Sequence, residues 1–510
     1  MWILDELEKQ KNSNATAIVN RDDVVSYSTL WSTSESVALW LIDNCSTKAP
    51  IIIYGNKDPK IVEVMVAALK SGHAYVPIDV TFPADRVKKI AEITNAEYIF
   101  DFSHIEGVFD NMGFSSKIIE ETHYLEIAKY DLNKSVDKSN WVLSEDICYI
   151  LFTSGSTGEP KGVQISKSNI INFTEWFESY VEIEDGSALN QVSYSFDVSV
   201  IQLYLYLPMG KPLYCIDKGM IADFGELFRF LEKSDISVWV STPAFIEMCA
   251  VYDAFGAELL PKLKKIILAG EVLTKKLVLS LWEKFPGVEV INGYGPTEGT
   301  VLLSACTITE EMIQDEENEL PIGYILSDGE YYIDSAITEI DESNKKSQSG
   351  KGELIVASKS LSIGYYKNAE ATSKNFFVHE NGNRYYRTGD VVYEKNNLIY
   401  YCGRKDFQIK LNGYRIELDD ISENINKIEE VNNNVVLPVY KDGKISSLAA
   451  IIVLNCDLGL SKAKTSIYLR KELGKYVPSY MVPQKMVVID KFPLNVNGKI
   501  DRKLLREMYL

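Results

Sequence analysis

One stretch constrains this chain more than any other: an apolar run that stops abruptly at a loop made almost wholly of small polar residues. Asp146-Ile147-Cys148-Tyr149-Ile150-Leu151-Phe152 reads as a buried strand. Six of the next seven residues, Thr153, Ser154, Gly155, Ser156, Thr157 and Gly158, are Thr, Ser or Gly, with Glu159 the exception. Lys161-Gly162-Val163-Gln164-Ile165 then resumes a strand, so the geometry is a hairpin. The two glycines permit positive φ, and hydroxyls with backbone N–H groups can line a concave anion site, with Lys161 as a cation at its lip. A polyphosphate fits such a loop, and so does an ordinary polar turn. The spacing is not that of the Gly-Lys-Ser/Thr phosphate loop, and no helix starts there.

The remaining residues set the frame around that hairpin. A chain of 510 residues exceeds one core, so at least two domains are expected. The formal net charge of −19 argues against nucleic acid and against an anionic membrane surface as partners. The seven cysteines are scattered without a CxxC, which suits small buried thiols in a reducing cytoplasm. Four dispersed histidines suggest neither a zinc site nor a Ser-His-Asp arrangement. The N-terminal residues lack the basic and apolar regions of a signal peptide, and no apolar run is long enough for a bilayer.

Helix and strand signals alternate through the first hundred residues. Helices are expected after Ser26, from Asp58 to Lys70 and after Pro83; strands are expected at 17–19, 50–55, 74–78 and 96–100. This alternation predicts an α/β fold of layered sheets and helices. Further strands, 238–243, 264–271 and 288–291, feed Asn292-Gly293-Tyr294-Gly295-Pro296-Thr297-Glu298, whose Gly-Pro demands a tight turn. Beside a triphosphate, the Glu298 carboxylate is most simply a Mg²⁺ ligand. Asp197, in an aromatic and β-branched stretch, is costly to bury unpaired, so it either grips a ligand ammonium or caps a helix. Asp390, in Tyr386-Arg387-Thr388-Gly389-Asp390, is either a ribose acceptor or a turn residue. Asn497-Gly498 places Lys499 at the tip of a tight turn near the chain end.

These motifs, in this order, resemble the adenylate-forming superfamily of acyl-CoA synthetases, luciferases and peptide-synthetase adenylation domains. The resemblance covers nearly the whole chain. It implies a large N-terminal domain over 1–403 holding ATP and an amino acid, and a small mobile C-terminal α+β lid over 404–510. By the same resemblance Thr153 to Gly158, Lys161, Asn292, Gly293, Tyr294 and Thr297 bind the adenine and phosphates of ATP. Asp390 and Arg404 hold the ribose, Glu298 the Mg²⁺, and Asp406 is the hinge. Gly413 marks where a pantetheine thiol enters, and Lys499 is the catalytic lysine, neutralising charge that develops at the α-phosphorus.

Asp197 matches the acid that holds an amino acid's α-amino group, which acyl-CoA synthetases lack. The side-chain pocket by family position is Val198, Ile201, Val240, Ile267, Ala269, Gly293, Val301 and Leu302, all apolar. Within the superfamily the chain is most similar to D-alanine–carrier-protein ligases, through 238–249 and 406–415, and to stand-alone prolyl–carrier-protein ligases. The D-alanine enzymes carry Cys at the position of Ala269 and a larger residue at that of Gly293. The expectation is therefore a roomier pocket, with L-proline as substrate in nonribosomal biosynthesis. The alternatives are D-alanine, for teichoic acid D-alanylation, and an acyl-CoA synthetase. The chain ends soon after Lys499 with no carrier motif, so the carrier protein is expected in trans.

Overall fold

The computed structural model describes residues 1–110, 112–153, 159–181, 185–335, 350–406, 408–441, 444–493 and 500–510. Ser154, Gly155, Ser156, Thr157, Gly158 and Lys499 lie outside the described residues.

Two large sheets and their helices form the bulk of the molecule. The first has nine strands, running from Tyr324–Ile325 at one edge through Ser304–Thr307, Glu289–Tyr294, Lys265–Ala269, Ile236–Ser241, Ser187–Asn190, Leu213–Cys215 and Thr16–Asn20 to Asp23–Ser26. Its central strands are parallel, and its edges antiparallel. The second, of seven strands, carries the Ser/Thr/Gly hairpin: Ile147–Thr153 pairs antiparallel with Lys161–Ser166, Phe152 opposite Gly162 and Thr153 opposite Lys161. Gly162 is required there, because a Cβ would stand 2.7 Å from Ile150 Cγ2. Parallel strands buried on both faces read as unbroken apolar runs, which is why Ile51–Gly55 and Lys265–Ala269 are almost wholly apolar.

The helices start where the sequence signals them. Ser26 accepts the Thr29 N–H at the head of Tyr27–Asn44, and Asp58 accepts the Lys60 N–H at the head of Pro59–Lys70, which has Pro in its first turn. Pro59–Lys70 is buried on nearly every side, so even Lys70 must be partnered inside. Its ammonium sits 2.8 Å from Glu35 and 3.3 Å from the Trp31 ring centre. A third sheet, built from Glu330–Asp334, Gly352–Ala357, Arg384–Lys395, Phe376–Val378 and Leu398–Arg404, closes this part of the chain.

Beyond Arg404 the chain forms separate sheets: the hairpin Gln408–Leu411 with Tyr414–Glu417, and a three-stranded sheet from Val431–Lys441, Lys444–Leu454 and Lys485–Val488. These have their own core around Ile416, Ile421, Ala450 and Leu473. Phe492 and Ile500 pack with Leu437 and Leu505 on the opposite face of the three-stranded sheet. This segment leans on the larger part through Arg86 and Asp420, 3.3 Å apart, and through Phe196 against Tyr414. No helix among the described residues is long and apolar enough to cross a membrane. All seven cysteines are unpaired.

Trp239 is fully buried in the core on the far side of the nine-stranded sheet, stacked on Phe245 at 5.7 Å. Trp239→Ala should destabilise the large part by about 3–5 kcal/mol, read as a lower urea midpoint by tryptophan-independent circular dichroism.

Candidate active site

The carboxyl ends of Ile236–Ser241, Lys265–Ala269 and Glu289–Tyr294 open on one cleft, where parallel sheets place ligands. The cavity there, about 50 Å³, is lined by Asp197, Val198, Thr242, Ala269, Thr297, Val301, Leu302 and Asp390, and is roofed by Arg404, Gln408, Lys410, Gly413 and Arg415.

Asp197 does not cap a helix; the short turn that follows takes no side-chain cap. Its carboxylate faces the cavity and accepts a hydrogen bond from Thr297. Burial pushes its pKa up to about 6, against the Thr297 bond and the nearby cations Lys410 and Arg415. The chain just beyond it winds as a π-helix over Gln202–Tyr206, a geometry that often marks functional sites.

The residues proposed for a nucleotide form a connected chain of charge. Tyr294 donates its hydroxyl to Asp390 at 2.5 Å, and Arg404 donates to the other Asp390 oxygen at 2.8 Å. Arg404 also grips Asp406 with two N–H groups, at 2.6 and 2.8 Å. A carboxylate has about four lone-pair sites, so Asp390 retains capacity for ribose hydroxyls. Lys161 lies 5.9 Å from the Tyr365 ring centre, and burial lowers its pKa. Asn292 is placed differently from the expectation: its amide donates to the Pro321 carbonyl at 2.7 Å, and it does not line the cavity. Strand alternation turns it to the face opposite Gly293.

The side-chain pocket is shallower than the sequence reading holds. Val198, Ala269, Val301 and Leu302 line the cavity, whereas Ile201, Val240 and Ile267 lie behind it in the core. The space beside Gly293 is not open. Leu302 Cδ1 would meet a Cβ there at 2.8 Å, so the leucine fills what the glycine vacates. Leu302 is driven inward by a γ-turn: its N–H bonds to the Thr300 carbonyl at 3.0 Å across Val301, whose φ is +74°. Such a turn centred on a β-branched residue is strained, by about 1–3 kcal/mol.

Of the roof, sequence reasoning named Arg404 and Gly413 but missed Gln408, Lys410 and Arg415. Gln408, Lys410, Arg415 and Glu417 share one face of the C-terminal hairpin, with Lys410 directly opposite Arg415. Arg415 reaches Glu298 at 2.6 Å, and Tyr365 donates to the other Glu298 oxygen at 2.7 Å. Burial opposes ionisation of Glu298, but these two partners outweigh it and hold its carboxyl below the ordinary range. As a hard oxygen donor Glu298 would suit Mg²⁺. No group of three or more potential ligands exists among the described residues. In this arrangement the Arg415 guanidinium already neutralises Glu298, so a metal cation there would meet a like charge at close range. Gly413, at φ +80°, donates its N–H to Glu271 at 2.8 Å, and a Cβ on it would collide with the Thr242 methyl. The glycine needed where the thiol is expected is thus set by close approach.

Two outcomes follow for these charges. Affinity for any ligand whose ammonium pairs with Asp197 should fall about tenfold per pH unit below about pH 6, as Asp197 protonates, and Asp197→Asn should weaken binding about 30-fold or more while abolishing that dependence. Arg415→Met should speed tryptic cleavage after Lys405 by loosening the roof, and adding Glu298→Gln should restore resistance, since the cost lies in the stranded buried charge.

Comparison with known proteins supplies the family and the fold. The profile of the family described as AMP-binding enzyme matches residues 6–366. A D-alanine–D-alanyl carrier protein ligase of Bacillus licheniformis is 39% identical over 513 residues, covering 99% of each chain. The ligase of the same name from Bacillus cereus is 37% identical over 512 residues, again covering 99% of each chain. Among solved structures, a nonribosomal peptide synthetase protein containing adenylation and PCP domains aligns at TM-score 0.81 and 22% identity, over 99% of this chain and 84% of that one. The Vibrio cholerae adenylation domain AlmE, in complex with glycyl-adenosine-5'-phosphate, aligns at TM-score 0.79 and 21% identity, over 99% of this chain and 96% of that one. At these identities the structures speak for the fold alone.

Proposed function

The chain belongs to the AMP-binding enzyme family and is an AMP-forming ligase, and we propose that it activates D-alanine with ATP and passes it to the phosphopantetheine thiol of a separate carrier protein. The observation that carries the choice of amino acid is Leu302 filling the space beside Gly293. It removes the reason for expecting a ring-sized pocket, and with it the preference for L-proline. The two full-length relatives, both named as D-alanine–D-alanyl carrier protein ligases, favour the same alternative. An apolar pocket still discriminates size weakly, by about 1–3 kcal/mol per methylene.

In the first step the substrate ammonium pairs with Asp197, and its carboxylate attacks the α-phosphate of ATP. Asp390 and Arg404 take the ribose; Thr153, Lys161 and the loop 154–158 take the phosphates. Bound Mg²⁺, with Glu298 as its protein ligand, would neutralise phosphate charge. Lys499 is assigned to this step, delivered by a C-terminal lid that pivots at Asp406. The second step uses the arrangement described above, in which Gly413 faces Thr242 and Arg415 holds Glu298. A thiol entering beside Gly413 then displaces AMP. Residues 404–510 carry eighteen Lys and Arg against thirteen Asp and Glu, whereas the whole chain is at −19. An acidic carrier would therefore approach the lid rather than the core.

Amino-acid-dependent exchange of pyrophosphate with ATP tests the reading directly. D-alanine should give the fastest exchange in a panel with L-alanine, L-proline and L-valine. Faster exchange with L-proline would overturn the substrate assignment, and no exchange with any amino acid would overturn adenylation itself.

A further inference from the structure

Thiol attack on an aminoacyl adenylate needs a group to take the thiol proton, because the thiolate is the nucleophile and an ordinary thiol has a pKa of about 8.5. None of the four histidines lines the cavity. Among the described residues that line it, three side chains could accept a proton: Asp197, Asp390 and Lys410. Asp197 must stay ionised to hold the substrate ammonium. Asp390 is ion-paired with Arg404, and its remaining lone pairs are assigned to the ribose hydroxyls. Lys410 remains.

Its setting suits the task. Lys410 stands three residues before Gly413 on the hairpin and lines the same cavity. Among the described residues no hydrogen bond or ion pair engages its amine, which lies 5.7 Å from the Tyr294 ring centre. Its cross-strand neighbour Arg415 is a fixed cation committed to Glu298. Burial lowers the Lys410 pKa from its ordinary value; Arg404 and Arg415 act in the same sense, and Asp390 and Asp197 oppose them. A substrate ammonium on Asp197 would cancel part of that opposition.

We propose that Lys410 is the general base of the thiol-acylation step, a role that rests on the two-step reading above. The neutral amine takes the proton as the S–H bond breaks, and sulfur bonds to the carbonyl carbon. The C–O bond to phosphate then breaks, and AMP leaves with the electron pair. The new ammonium is stabilised by Asp390 and Asp197 and returns its proton to solvent when the cleft opens.

The test separates the two half-reactions. Aminoacyl adenylate is formed on the enzyme with ATP, Mg²⁺ and amino acid, and free pantetheine is added as the thiol probe. Lys410→Met should slow thioester formation about a hundred- to ten-thousand-fold, and slow pyrophosphate exchange far less. Its transfer rate should climb with pH in proportion to thiolate, whereas the wild type should level off earlier. An acidic aryl thiol, already ionised at neutral pH, should react with wild type and variant at similar rates. Equal losses in exchange and transfer, or the same loss with the ionised thiol as with pantetheine, would overturn the role of Lys410. Should the variant not fold, the wild type alone decides: transfer rates that simply track thiolate concentration across pH would exclude a base. Absence of exchange in the wild type would instead remove the two-step reading and leave the base assignment without a reaction.

Discussion

The arrangement of the cleft depends on one buried ion pair, Arg415 with Glu298. Glu298 has no exposed surface, and its partner arrives from a hairpin more than a hundred residues later. A buried pair of this kind adds little net stability over apolar packing, but removing one member costs about 3–5 kcal/mol. Its effect is therefore to specify a position. With Arg415 seated, the hairpin roofs the cavity and Gly413 meets Thr242 and Glu271. The seated guanidinium already neutralises Glu298, and a second cation there would meet a like charge at close range.

The opposite wall of the cavity is rigid for a different reason. The γ-turn over Thr300–Leu302 holds Val301 at positive φ, a conformation that a β-branched residue adopts only under constraint. The constraint comes from Gly295, whose missing side chain lets the Val301 carbonyl press close, and from the buried hydrogen bond of Thr300 to the Ser360 carbonyl, at 2.5 Å. Strain stored there fixes Leu302 against Gly293. Pocket size is consequently a property of the turn as much as of the residues that face the substrate.

Local rules carried the reading of the N-terminal half a long way. Ser26 and Asp58 announce their helices because a side-chain oxygen near the first free N–H groups is a local matter. The hairpin around the Ser/Thr/Gly loop is legible because its strands are adjacent in sequence. The same local logic misassigned the pocket. Gly293 reads as space, but whether space exists depends on Leu302, and its approach depends on a turn that no residue pattern signals. It also left Asn292 among the nucleotide ligands, although strand alternation sends its amide to Pro321.

Sequence alone determined the fold class, the order of motifs and which acids and cations could serve a nucleotide and an ammonium, because each depends on residue type and short spacing. The alternation of Gln408, Lys410, Arg415 and Glu417 with Ile409, Leu411 and Ile416 was equally visible, yet it reads as an ordinary solvated face. Only the tertiary structure turned that polar face onto the cleft, gave Arg415 to Glu298 and left Lys410 in the cavity. The reason is physical: a charge has no fixed meaning until its partner is known, and here the partners are brought together by packing between segments far apart in the chain.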